Sequence, residues 1–318
     1  MAALTLVLAM VGSAGISASA STDVYHNGVT HQAAVRQAHA AKPRGGGGSA
    51  NLTYHGGVGG SAVETGADKV YIVQWGWTSD PSGEGPQQAN FFKGVGGSSW
   101  NNSVTQYCQG TVVATGSSTC PAGATPATNP QGVFAGTLAD SWADNLNPLP
   151  ATMSQSALAA EAVRAAAHFG NTGAAANTAA QYIIDTPTGH STSGFGTQFC
   201  AWHSSTSSSY GNIAYTNFPY MTDAGSSCGA NFVNSGSAGT LDGVTIVGGH
   251  EFAETETDIF PNGGWLDANG KENGDKCAWI SSGQGASQNV QFSTGLFPVQ
   301  SLWSNAFNSG AGGCVLSY

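Results

Sequence analysis

Residues 242–267, DGVTIVGGHEFAETETDIFPNGGWLD, decide how the rest of the chain is read. Thr240 or Asp242 can cap a helix here, and Pro261 and Gly263 stop it, so the pattern predicts a helix through VTIVGGHEFAETETD. Gly248 and Gly249 each weaken that helix by about 1 kcal/mol relative to alanine, which predicts close packing against a neighbour. Helical spacing puts His250, Glu254 and Asp258 on one stripe, with Glu251 adjacent to Glu254. Seven of the eighteen acidic residues (Glu251, Glu254, Glu256, Asp258, Asp267, Glu272 and Asp275) fall within twenty-five positions of a chain that is only 8% charged. Like charges so spaced destabilise a bare helix, and a bound cation reverses that sign.

The segment His250-Glu251-Phe252-Ala253-Glu254 is a near relation of the His-Glu-x-x-His zinc helix. There, two ligands one turn apart hold the metal and the glutamate beside the first is general base toward water. Here Glu254 replaces the second histidine; zinc accepts carboxylate oxygen, so His250 and Glu254 are expected zinc ligands and Glu251 the expected catalytic base. Glu272 stands near the offset at which zinc peptidases of the thermolysin type supply a third glutamate. Asp258 and His203 are the alternatives for that third place. Downstream, Asp267, Asn269, Glu272 and Asp275 set oxygen ligands at intervals among glycines, which suits calcium, although the pattern is not an EF-hand. The plain alternative is a solvated acidic turn paired with Lys271 and Lys276.

Outside this region, Lys69 to Trp75 (KVYIVQW) reads as a strand, and Gly, Asn, Ser and Pro to about residue 138 read as loops and short strands. A helix is expected between Thr152 and His168, ended by Gly170, and AQYIIDTP after it reads as a buried strand. The expected fold is a single disulfide-bonded α/β or α+β domain, residues 51–318, with a mixed sheet and a zincin-like metal-site helix. Six cysteines without a CxxC pair suit an oxidising compartment. Sequential pairing, 108 with 120, 200 with 228 and 277 with 314, closes the shortest loops and is the expected connectivity among fifteen. Residues 1–20, apolar and then small, read as a secretory signal peptide, and 21–50 as a disordered or propeptide segment ending in a four-glycine linker.

The 318 residues carry eight Lys and Arg against eighteen Asp and Glu, a net charge of −10, which excludes a phosphate-tracking nucleic-acid binder. No stretch after the leader has the roughly 20 apolar residues a membrane span needs. Gly189-His190-Ser191-Thr192-Ser193 lacks the final glycine of a nucleophile elbow and reads as a loop. His55 and His203 read first as packing histidines. Trp75, Trp77, Trp100, Trp202, Trp265 and Trp303 could stack on sugars, but core packing is the simpler account. Asn51-Leu52-Thr53 and Asn101-Asn102-Ser103 are glycosylation sequons.

Several segments together resemble the Exordium family of phosphate-induced proteins and their bacterial secreted relatives. They are LTYHGG (52–57), VYIVQWGW (70–77), FCAWHSS (199–205), GGHEFAETETDIFPNGGWLD (248–267), ENGDKCAW (272–279) and LWSN (302–305). The resemblance implies a secreted, extracellular or cell-wall-associated protein, and growth regulation for plant members. Two functions follow from the residues and the resemblance together. One is a secreted zinc-dependent hydrolase, with a peptidase as the expected type, acting on an extracellular protein, peptide or cell-wall substrate. The other is a non-catalytic wall protein with a structural ion.

Overall fold

The computed structural model describes residues 51–131 and 141–318. The expected signal peptide, the 21–50 segment and its glycine linker lie outside the described residues. Five strands form the central sheet: β1 (Lys69–Trp75), β2 (Ser141–Asp144), β3 (Ala180–Thr186), β4 (Trp202–Ser208) and β5 (Gly211–Pro219). Their order is β2-β1-β3-β5-β4, parallel except for the β4–β5 hairpin at one edge. This is the mixed sheet of a mixed α/β fold.

Both faces are covered, which is why β3, AQYIIDT, is buried at every position and reads as a continuous apolar run. Alternation sorts its neighbours. Val73, Tyr182 and Ile184 face helix α2 (Gln155–His168) with Leu158, Ala162 and Ala166, while Ile72 and Ile183 face the opposite layer with Phe91, Trp100 and Phe252. Ser154 caps α2, its hydroxyl accepting from the Ala157 N–H at 3.2 Å, and Gly170 turns the chain with φ +78°.

The opposite layer holds α1 (Glu84–Val95) and α3 (Asp242–Thr257). Helix α1 corrects the expectation of loops and short strands here. Its glycines and Pro86 masked it, but Pro86 lies in the first turn, where a missing N–H costs little. Asp80 gathers the N–H groups of Gly83, Glu84 and Gly85 at 2.9, 2.9 and 3.0 Å. All sixteen residues of α3 are buried. Asp242 does not cap it; its carboxylate accepts from the Val233 and Asn234 N–H groups instead. Of the glycine pair, only Gly249 is forced by packing: a Cβ there would lie 3.1 Å from Phe91 and 3.2 Å from Trp100, whereas at Gly248 the nearest atom, on Phe218, is an ordinary 3.7 Å away.

Three disulfides, Cys108–Cys120, Cys200–Cys228 and Cys277–Cys314, follow the sequential pairing. Among the described residues no helix is long and apolar enough to cross a membrane. The tryptophans named above are buried or half-buried, as core packing requires. Asn101 is buried, with its amide nitrogen donating to Glu256 at 2.9 Å, so its sequon is closed in the folded chain.

Candidate metal centre

Three segments build the site. Helix α3 supplies His250, Glu251 and Glu254. The chain then turns back at Asp258, whose carboxylate collects the N–H groups of Asn262, Gly263 and Gly264 at 2.8, 3.0 and 2.6 Å. Trp265 and Leu266 pair with Tyr54 and Thr53, and the returning strand runs beside α3, with Asn273 donating to the Ala253 carbonyl at 3.1 Å. That return delivers Glu272 and Asp275. The third segment is the sheet edge: on β4, Trp202 packs toward α2, so the next residue, His203, points to the α3 side.

His203 Nε2 lies 3.0 Å from Glu272 Oε2 and 3.6 Å from Glu254 Oε2. His250 Nε2 lies 2.9 Å from Glu254 Oε1, which also accepts the Asp275 N–H at 2.8 Å. Two groups of three can offer converging ligand atoms within 4.8 Å of one another, His203–Glu251–Glu254 and His250–Glu254–Asp275, with Glu254 common to both. His203, His250, Glu251, Glu254 and Glu272 are all at most 2% exposed.

Gln300 fixes the state of His250. Its amide nitrogen donates to the carbonyls of Gly274 and Ser301 at 2.8 and 3.3 Å, so its oxygen faces His250 Nδ1, 3.1 Å away, and accepts the Nδ1–H. The Nε2 lone pair is then directed at the site. Burial pushes His250 down to about 3, so the ring is neutral. His250 Nε2 and His203 Nδ1 are both buried without a hydrogen-bond partner. Burial, reinforced by Glu272, Asp275 and Glu251, raises Glu254 well above the usual carboxylate range. Burial likewise raises Glu272 and Asp275 to about 8. A neutral imidazole lone pair facing a carboxyl group, with further acids behind it, is a donor set that suits zinc once the carboxyl gives up its proton.

The expected residues divide. His250, Glu251, Glu254 and Glu272 come together. Asp258 borders the site, but both its oxygens are engaged in the turn. The four proposed calcium ligands part company: Asp267 Oδ1 accepts from the Asn269 and Lys271 N–H groups, its Oδ2 pairs with Lys276 at 3.2 Å, and Asn269 is exposed. Glu272 and Asp275 turn inward to the histidines. His203 is more central than its sequence setting suggested, and its pairing with β5 carries no local signal. His55 and His190 are exposed, away from this centre.

Fold and site together define a disulfide-bonded mixed α/β protein with a buried histidine–carboxylate centre on its central helix. Compared with protein families, curated proteins and solved structures, the chain matches none.

Proposed function

We propose that the protein is an exported metal-dependent hydrolase, with extracellular protein, peptide or cell-wall material as its substrate class. The observation that carries the reading is the approach of the His250 Nε2 lone pair to Glu254 Oε1 at 2.9 Å without a hydrogen bond, an arrangement a shared cation resolves. His250 and Glu254 would hold zinc, with Asp275, Glu272 or His203 as the further ligand. The ion would supply Lewis acidity toward a scissile carbonyl and lower the pKa of water. Glu251, next to His250 and grouped with His203 and Glu254, would take the proton from the attacking water on its carboxylate. Gln300 holds the His250 tautomer, and His203 orients Glu272.

Three disulfides and the lack of a membrane-crossing helix among the described residues support export. Kinship with the Exordium family rests on the motifs alone and belongs to the same proposal.

One observation favours a second reading: with His203, His250, Glu251, Glu254 and Glu272 all at most 2% exposed, the ion would be structural and the protein a non-catalytic wall component. Zinc-reconstituted protein screened on unfolded proteins, with and without a chelator, separates the two. On the hydrolase reading Glu251→Gln keeps zinc and thermal stability while hydrolysis falls about 10²- to 10⁴-fold. A wild type that binds zinc and stays inert favours the structural ion, and one that binds no zinc ends both.

A further inference from the structure

Helix α3 carries a second set of acids on its other side. Glu256 is two positions beyond Glu254, about 200° around the helix, so it points away from His250 and Glu254. There it meets Glu64 and Asp68, and the three carboxylates can offer oxygens within 4.8 Å of one another. All three residues are at most 1% exposed.

Each carboxylate is held in the same way. Glu64 Oε2 accepts from the Gln181 amide at 3.0 Å, Glu256 Oε1 from the Asn101 amide at 2.9 Å, and Asp68 Oδ2 from the Thr128 hydroxyl at 2.8 Å. One neutral donor thus fixes one oxygen of each acid. The second oxygen of each, Glu64 Oε1, Glu256 Oε2 and Asp68 Oδ1, is buried without a hydrogen-bond partner. The Asn101 and Gln181 side chains that hold two of these acids are themselves 0 and 1% exposed, and their amide oxygens are likewise buried without a hydrogen-bond partner. The backbone clamps the group: the Glu64 N–H donates to the Glu256 carbonyl at 2.9 Å, and the Thr128 N–H to the Glu64 carbonyl at 3.2 Å. The nearest basic residue in sequence is Lys69, beside Asp68.

Three carboxyl groups buried this close together ionise only with positive charge beside them, and oxygen atoms without nitrogen or sulfur select a hard cation over zinc. Calcium takes six to eight oxygens and tolerates irregular geometry, whereas magnesium keeps several waters, which a fully buried site does not admit. We propose that Glu64, Asp68 and Glu256 form a structural calcium site, with the Asn101 and Gln181 amides beside it, separate from the histidine centre. It ties the first described segment, the central sheet and the end of α3 through one ion. The inference does not depend on the hydrolase reading.

The test is calcium binding by the full chain, stripped with a chelator and then assayed with and without added zinc, by equilibrium dialysis and by melting, with calcium as the probe. One calcium per chain is expected, half-saturating at or below about 1 mM as in extracellular modules. Asp68→Asn and Glu64→Gln should each weaken calcium binding at least tenfold with zinc content unchanged, and Asp267→Asn, whose carboxylate is engaged by its own turn and Lys276, should leave it as in wild type. The proposal is overturned by a wild type whose melting and dialysis ignore calcium, by undiminished binding in Asp68→Asn, or by loss of binding in Asp267→Asn. A melting temperature that rises in Asp68→Asn while calcium has no effect would mean that shared protons, not an ion, hold the three acids. Should neither site variant fold, calcium binding kept in Asp267→Asn supports the site, and a calcium-indifferent wild type removes it.

Discussion

The His203 imidazole, on the edge strand of the sheet, stands 3.0 Å from the Glu272 carboxylate, sixty-nine positions further along the chain, and this pair closes the histidine–carboxylate cluster over helix α3. If the pair positions the metal ligands, His203→Ala should lower zinc affinity by at least tenfold, as outer partners of zinc ligands do. Competition with a chromogenic chelator reads this directly. Unchanged affinity would reduce His203 to a packing residue.

Gly274 lies against the same site from the other side. A Cβ there would come within 2.9 Å of both Glu254 Oε1 and His250 Nδ1. Both side chains are fully buried, so Gly274→Ala should cost about 1–3 kcal/mol and displace the His250–Glu254 pair. Chemical denaturation and zinc content should fall together; loss of stability with full zinc occupancy would contradict the geometry.

The Cys277–Cys314 disulfide begins two residues after Asp275 and anchors the turn that brings Glu272 and Asp275 to the histidines. Replacing both cysteines with serine should cost about 2–5 kcal/mol and weaken zinc binding. The same change at Cys108–Cys120, which joins none of the residues that converge on the histidines, should affect stability more than zinc binding. Thiol titration of denatured, unreduced protein should find no free thiol, since all six cysteines are paired.

Glu84 gives a pH signature. Burial raises its carboxyl to about 7, against the three hydrogen bonds it accepts from Met221 and Thr222. The folded state therefore holds its proton to higher pH than the unfolded chain. The associated stability is full below about pH 4.5 and is lost as pH rises through about 7, at up to roughly 1.4 kcal/mol per pKa unit. Glu84→Gln should flatten the melting temperature between pH 5 and 7. A slope as steep as wild type would assign it to other buried acids.

Much of this was legible in the chain. Stop signals placed α3 and α2, and runs of β-branched and aromatic residues placed β1 and β3, because prolines, glycines and such runs act locally; the cap expected at Asp242 is not made. Short-loop pairing gave the disulfides. Helix α1 was hidden because its start is set by Asp80 rather than by a residue at the cap, and its own sequence is rich in glycine. In the site, the spacing of His250, Glu251 and Glu254 on one helix needed only helical geometry. His203 was legible only as an alternative third ligand and Asp275 only as a calcium candidate, since their approach depends on the β4–β5 hairpin and on how the chain returns after Pro261. Glu64 and Asp68 gave no signal at all: nothing local ties them to Glu256.

A helix buried at all sixteen positions has no outer face on which substitution is cheap. In a saturation-mutagenesis profile, residues 242–257 should appear as an unbroken band of intolerance, without the three-to-four-residue ripple that α2 should show. Drift between related chains would then accumulate on the loops and on the outer face of α2, leaving α3 as the stretch by which distant kin are recognised.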